Sequence, residues 1–369
     1  MKQARQLNAL TDLCSLGLHA EVLVPAVLEA LHDVVPSYRN LFDWTDAGGQ
    51  LVRYFIEGPI DTNIAQLYFD EFHNRREAEV MPRFEAMRMT PAGVTGSGDL
   101  DHAGFYASDF YNAIWRPQGF RTRMQAVLRG ADGHLLGSLV LYREPGAPRF
   151  SAAEERRLAS LLPVFAAGLQ AGAPAVADDR YVPSPDTPET LLLTLQGEVC
   201  HASPGAQRLL MMAEGGVSRG ALSRPLNALA GRLLPMLLAR LREREQLGPT
   251  AHMAAPPSIT HETASGQYVA QGLLLQPQHL GAPALAQVTL RRLEPHRVAL
   301  ERALRALPIT PGQMAVCRWL YHGHSHGEIG QTLGVAPATV VDHVRKVYRA
   351  LDLRSAMELR AMLESRMGG

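Results

Sequence analysis

The chain has 369 residues, 46% apolar and 20% charged, enough to bury cores in two or three domains and too apolar for general disorder. Lys plus Arg and Asp plus Glu number 36 each, so the formal charge is zero. That excludes a polybasic protein that binds by charge alone, while leaving room for one basic face. Cys14, Cys200 and Cys317 are dispersed and form no disulfide framework or paired CxxC motif, which suits a reducing compartment. Thr11, Asp12 and Cys14 interrupt any signal-like apolar stretch at the start. The longest apolar run, Leu161 to Leu169, is nine residues and contains Pro163, against the roughly 20 needed for a span. The expectation is a soluble cytoplasmic protein with no membrane association.

In chain order, residues 2–33 are helix formers with spaced apolar positions. Asn40–Trp44 and Leu51–Ile56 read as strands around a turn at Asp46, Gly48 and Gly49. Residues 64–88 read as helical with a break at Pro82. Met124–Arg129 and His134–Arg143 form the clearest hairpin, divided by Gly130, Asp132 and Gly133. Ser151 and Glu154 are spaced as a capping box, opening a helix that runs toward Gln170 with Leu158, Leu161, Leu162 and Phe165 as its stripe.

All ten Phe precede residue 170, whereas Tyr181 and Tyr268 are the only aromatics between 171 and 300. The prolines of 171–189 (Pro174, Pro183, Pro185 and Pro188) mark a linker between two unlike units. In the second, 190–295, strands are expected at Leu191–Leu195, Glu198–Cys200, Gln267–Gln276 and Ala284–Arg291. Helices are expected at Pro204–Met212 and Leu226–Gln246. A connecting helix over 296–306 leads out.

Residues 307–369 divide into four short helices by local signals. Thr310-Pro-Gly-Gln313, Ser325-His-Gly-Glu328 and Ser355-Ala-Met-Glu358 are capping-box patterns, and Gly334 stops the second helix. Pro337 opens the third, whose Val340, Val344, Val347 and Leu351 form an apolar stripe. The opposite face carries Ala338, Val341, Asp342, Arg345, Lys346 and Arg349, a width suited to a major groove. Over 301–369 there are nine basic and six acidic residues, so the segment is positive while the chain is neutral.

This stretch resembles the LuxR/GerE-type DNA-binding domain of bacterial transcription regulators. The resemblance rests on Leu307, Thr310-Pro311, Gly323, Ser325, Glu328-Ile329, Leu333-Gly334-Val335, Pro337-Ala338-Thr339-Val340, His343 and Leu351. It implies a four-helix domain that docks its third helix in double-stranded DNA, usually as a homodimer, with Thr339, His343 and the basic residues near the duplex. Two departures stand out. Ala336 occupies a position usually capped by Ser, and Val341-Asp342 follows Thr339-Val340 where the family usually has Lys. The loss of that cation shifts weight onto Arg345, Lys346 and Arg349 or onto dimerisation, while Val341 offers apolar contact with a thymine methyl.

The sensor-side segments also carry resemblances. Residues 1–170 resemble a GAF-type α+β domain through Phe105-Tyr106, Phe110-Tyr111, Arg116-Pro117-Gln118-Gly119, the hairpin and Phe150-Ser151. Residues 190–295 are loosely similar to a PAS-type domain in element order. The fold class expected is therefore multidomain: two α+β sensor-type modules followed by an all-α helix-turn-helix domain. Lysine occurs only at Lys2 and Lys346, which removes the Lys a phosphorylated receiver requires, and no GxxxxGK[ST] loop is present.

Phe42, Trp44, Tyr54, Phe105, Tyr106, Tyr111, Trp115 and Phe120 are candidates for a ligand pocket, against core packing as the alternative. His322, His324 and His326 read as a solvated turn rather than a metal cluster, Cys317 as core, and Asp99, Asp101 and His102 as loop residues. No cofactor, metal or catalytic residue is expected. The function read from the sequence is a DNA-binding regulator responsive to a small-molecule effector or protein partner, with RNA polymerase contact open. The alternative is an enzyme or small-molecule binder in the N-terminal unit, with the C-terminal domain as its DNA-targeting piece.

Overall fold

The computed structural model describes residues 2–172, 180–231, 233–246, 255–279 and 283–368. The helix-forming start divides into α1 (Lys2–Cys14) and α2 (Ala20–Val34) at Gly17, whose φ of 63° is open to glycine at no steric cost. Five antiparallel strands follow, β1 (Arg39–Thr45), β2 (Leu51–Ile56), β3 (Gly93–Thr95), β4 (Thr122–Arg129) and β5 (Leu135–Arg143), in the order β2-β1-β5-β4-β3. Helix α5 (Ala152–Gln170) starts at Ser151 with both halves of its capping box formed. Side chains alternate across a sheet, so Phe42, Met124, Leu139 and Leu141 share the face covered by α2 and α5 and are fully buried. The Phe42 and Phe165 rings lie 5.6 Å apart across that layer.

Between β2 and β4 the chain is irregular. The helix expected over 64–88 is broken: α3 (Thr62–Leu67) passes into a π turn at Tyr68–Phe72 and 3-10 turns at Arg76–Glu79 and Phe84–Met89. The cause is local. Asn74 is left-handed (φ 56°), and the buried Glu77 carboxylate accepts from the Asn74 and Phe84 amides at 2.7 and 2.8 Å, bonds that a continuous helix would not leave open. Helix α4 (Ala103–Ala107), a π turn at Tyr111–Trp115 and a 3-10 turn at Arg116–Gln118 close this segment.

The second unit contains β6 (Tyr181–Pro183), β7 (Glu189–Thr194), β8 (Val199–Ala202), α6 (Ala206–Ala213), α7 (Arg219–Leu222), α8 (Leu233–Gln246), β9 (Ser258–Thr263), β10 (Gly266–Leu275) and β11 (Leu285–Pro295). Its sheet runs β8-β7-β11-β10-β9, with β6 also paired to β11. Two expectations need correction. The segment 171–189 is not linker throughout, because β6 pairs with β11 and Asp186 ties it to the sheet through Arg208 and Arg292; Pro174 lies outside the described residues. The helix expected from Leu226 begins at Leu233, after a 3-10 turn and Gly231 at φ 40°. Helix α8 crosses β10 at Gly272, where a Cβ would come within 2.8 Å of the Leu241 side chain.

Strand β11 runs directly into α9 (His296–Arg305), followed by α10 (Pro311–Tyr321), α11 (His326–Leu333), α12 (Pro337–Leu351) and α13 (Ala356–Met367). Their core is continuous from Ala299 and Leu304 through Val316, Cys317 and Ile329 to Val340, Val347 and Leu363, and it includes Ala9 and Val182. No described helix is long and apolar enough to cross a membrane.

Candidate functional site

Helix α12 is set by caps on the helices before it. Thr310 and Gln313 cap α10 reciprocally, Ser325 and Glu328 do the same for α11, and Gly334 (φ 66°) turns the chain into α12. Ala336 begins α12 with no side-chain cap bond, as its methyl group requires. Ser355 accepts from the Glu358 amide, but Glu358 accepts from the Arg354 amide instead, so this third box is not reciprocal. Val340, Val344 and Val347 are buried, which turns the opposite face outward.

On that face Thr339, Val341, Arg345, Lys346 and Arg349 are exposed, Val341 at 49%. Asp342 sits among them and pairs with Arg345 at 3.0 Å and Lys346 at 2.6 Å, one helical turn along. Those cations, Lys346 first, hold its carboxyl below the usual range. His343 departs from the rest: its Nδ1 is buried with no hydrogen-bond partner among the described residues, and its ring lies over Gly312 at the start of α10. It is thereby placed against α10 rather than with the exposed cations.

Helices α9 and α10 are tied to the N-terminal unit by charged pairs. Arg318 of α10 donates to Glu301 of α9 at 2.7 Å and to Asp12 of α1 at 2.8 Å. Arg302 donates to Glu294 at 2.7 Å and to Glu29 of α2 at 2.8 Å, while Arg305 reaches Glu29 at 2.8 Å and Asp33 at 3.0 Å. Glu294 and Glu301 are both buried. Asp12 and Glu29 escape sequence reasoning because their partners lie hundreds of residues away, whereas Glu294 and Glu301 pair 8 and 17 residues along the chain, beyond one turn of helix.

The other face of the first sheet floors a cavity of about 230 Å³. Cross-strand register aligns Tyr54, Asp43 and Val127 in one row, Ile56, Leu41, Val140 and Gln125 in the next, then Arg39, Tyr142 and Arg123. Of the eight aromatic candidates, Tyr54, Trp115 and Phe120 line this cavity. Phe42 and Phe105 are fully buried core. Tyr106 is engaged by Asp101, and Tyr111 packs against Phe105 and Tyr106. Trp44 lies in a separate small crevice under the Arg53 guanidinium, 5.0 Å from its ring. The sequence reading missed Asp43, whose signal was an acid at an inward position of an apolar strand. Burial pushes its carboxyl up to about 7, against the lowering effect of its bond from Ser138.

Of the remaining candidates, Asp99 also lines the cavity, and the others are structural. Asp101 is buried and paired with Arg149, and His102 accepts from the Phe105 amide to cap α4. No cluster of three or more metal-ligating side chains occurs among the described residues, and His324 instead packs edge-on to Trp319. Cys317 is buried, which pushes its thiol up to about 12 and makes it a poor nucleophile.

A helix, a glycine turn and a second helix with an exposed basic face define a helix-turn-helix domain. Residues 307–363 match the family model for bacterial regulatory proteins of the luxR family, and this segment is a LuxR-type DNA-binding domain. No curated protein matches the chain. Among solved structures, the GAF domain of the cyanobacteriochrome TePixJ is similar at 17% identity over 43% of this chain and 92% of its own, with a TM-score of 0.29. VqmA of Vibrio cholerae, described as a LuxR-type receptor, is similar at 16% identity over 49% of this chain and 83% of its own, with a TM-score of 0.18. The bacteriophytochrome RpBphP3 of R. palustris is similar at 11% identity over 78% of this chain and 63% of its own, with a TM-score of 0.31. These overlaps are too loose to bear on function.

Proposed function

We propose that the chain is a transcription regulator, acting as a homodimer, that places α12 in the major groove of duplex DNA. In this reading the first unit (1–170) is a GAF-like sensor and the second (190–295) a PAS-like one, and a small molecule or protein partner biases how the paired C-terminal domains meet DNA. The observation that carries the reading is the exposed row of Arg345, Lys346 and Arg349 opposite a buried valine stripe, within a segment matching the LuxR family. An effector shifts the equilibrium only by binding the competent and incompetent arrangements unequally. The ion pairs from Asp12, Glu29 and Asp33 to α9 and α10 supply physical contacts on which such a difference would act.

Asp342 gives the reading a test of uncommon sign. Asp342→Asn removes a negative charge that would face phosphate and releases Arg345 and Lys346 from it. Duplex affinity is expected to rise severalfold, and the slope of log K against log salt to steepen by about 0.9 for each cation newly given to phosphate. Fluorescence anisotropy across a salt series reads both. Weaker binding, or an unchanged slope, counts against this face as the contact.

A further inference from the structure

The cavity on the first sheet has a specific polar inventory. Glu77 is fully engaged, accepting from two backbone amides and from the Tyr68 hydroxyl at 3.0 Å. Asp43 is 8% exposed; one oxygen accepts from Ser138 at 2.8 Å and the other has no partner among the described residues. Arg123 lines the same space and makes no hydrogen bond or ion pair among the described residues; its charge acts through space on Asp43 and Tyr142, and its guanidinium lies 5.9 Å from the Trp115 ring. The Tyr142 hydroxyl beside it, cross-strand from Arg123, and the Tyr54 hydroxyl beside Asp43 likewise have no hydrogen-bond partner among the described residues. One end of the cavity thus presents a fixed cation that can only donate, with a phenol beside it. The other offers a carboxyl group and a phenol.

Size narrows the occupant further. An apolar cavity near 150 Å³ holds benzene, so about 230 Å³ suits roughly nine or ten non-hydrogen atoms, one ring with small substituents. Ser138, the cross-strand partner of Asp43, stands four residues from Tyr142 on β5, about 13 Å at ~3.3 Å per residue. A ring substituted at opposite ends bridges such a gap once the long side chains lean inward.

We propose that this cavity binds a single-ring aromatic carboxylate with a hydrogen-bond donor on the far side of the ring. The ligand carboxylate meets Arg123 and the Tyr142 hydroxyl, the donor meets Asp43 and Tyr54, and the ring lies against Trp115 and Phe120. The assignment deepens the small-molecule branch of the proposed function and rests on it only for its signalling role.

The test is calorimetry on the full chain with 4-hydroxybenzoate, 4-hydroxybenzamide and tyramine. 4-Hydroxybenzoate is expected to bind tightest of the three. Arg123→Gln should weaken it about tenfold to a hundredfold, the worth of a charge-assisted hydrogen bond, while leaving the neutral amide within a few fold. Arg123→Lys should retain part of the affinity, separating lost charge from a damaged fold. The proposal is overturned if 4-hydroxybenzoate does not bind, if Arg123→Gln leaves its affinity intact, or if tyramine binds best and loses its affinity in Asp43→Asn. Binding of 4-hydroxybenzoate with unchanged duplex affinity supports the site and counts only against its signalling role.

Discussion

Replacing Arg302 with Ala is expected to lower stability by about 3–5 kcal/mol, the cost of leaving a buried charge without its partner. Glu294 is 2% exposed and Arg302 meets both of its oxygens while also reaching Glu29 on α2. Burial alone would pull the Arg302 pKa down, yet its hydrogen bonds to Glu294 and Glu29 hold it above the ordinary value, so the pairing outweighs desolvation of the guanidinium. A concurrent Glu294→Leu change in Arg302→Met should recover much of the loss, because an apolar pair of similar bulk carries no desolvation penalty. Urea unfolding measures both variants. A single-variant loss below about 1 kcal/mol would show that α9 is not fastened in this way.

Asp186→Asn is expected to be similarly damaging, by about 3–5 kcal/mol at neutral pH. Its carboxylate accepts from Arg292 at 2.7 Å and Arg208 at 3.0 Å, and both arginines are more than nine-tenths buried. Burial works to raise the Asp186 pKa, but the two guanidinium groups overcome it and hold the carboxyl well below its ordinary 3.8. For a depressed acid the stabilisation is complete above the unfolded-state value and is lost as pH falls toward the folded one. The wild-type chain should therefore lose stability below about pH 4 more steeply than Asp186→Asn. Parallel acid-unfolding curves would contradict the pairing.

The parts of the fold that were legible in the sequence are those fixed by neighbours within one turn of helix. The Thr310, Ser325 and Ser151 caps, the Gly334 turn and the valine stripe of α12 each depend on spacing of three or four residues. Asp342 was visible as an intruding charge, and its pairs at i+3 and i+4 follow from helical geometry. The cavity was harder to read. Period-two alternation separates Phe42 and Trp44 from Leu41 and Asp43, but which set faces the helices depends on α2 and α5, distant in sequence. The run 64–88 looked helical because its composition is helical, whereas Glu77 binds backbone amides across a left-handed Asn74 and so stabilises a break. Asp186 sat among prolines and read as linker; its role exists only once Arg208 and Arg292 are folded around it.

The most direct measurement of the central claim is the salt dependence of duplex binding by Arg345→Ala/Arg349→Ala. Both side chains are exposed on α12, and alanine favours the helix, so the fold should survive. With two phosphate contacts removed, affinity should fall for specific and random duplex alike, and the log–log slope should become shallower by roughly 1.8. A slope identical to that of the unaltered chain would mean that this face does not meet DNA.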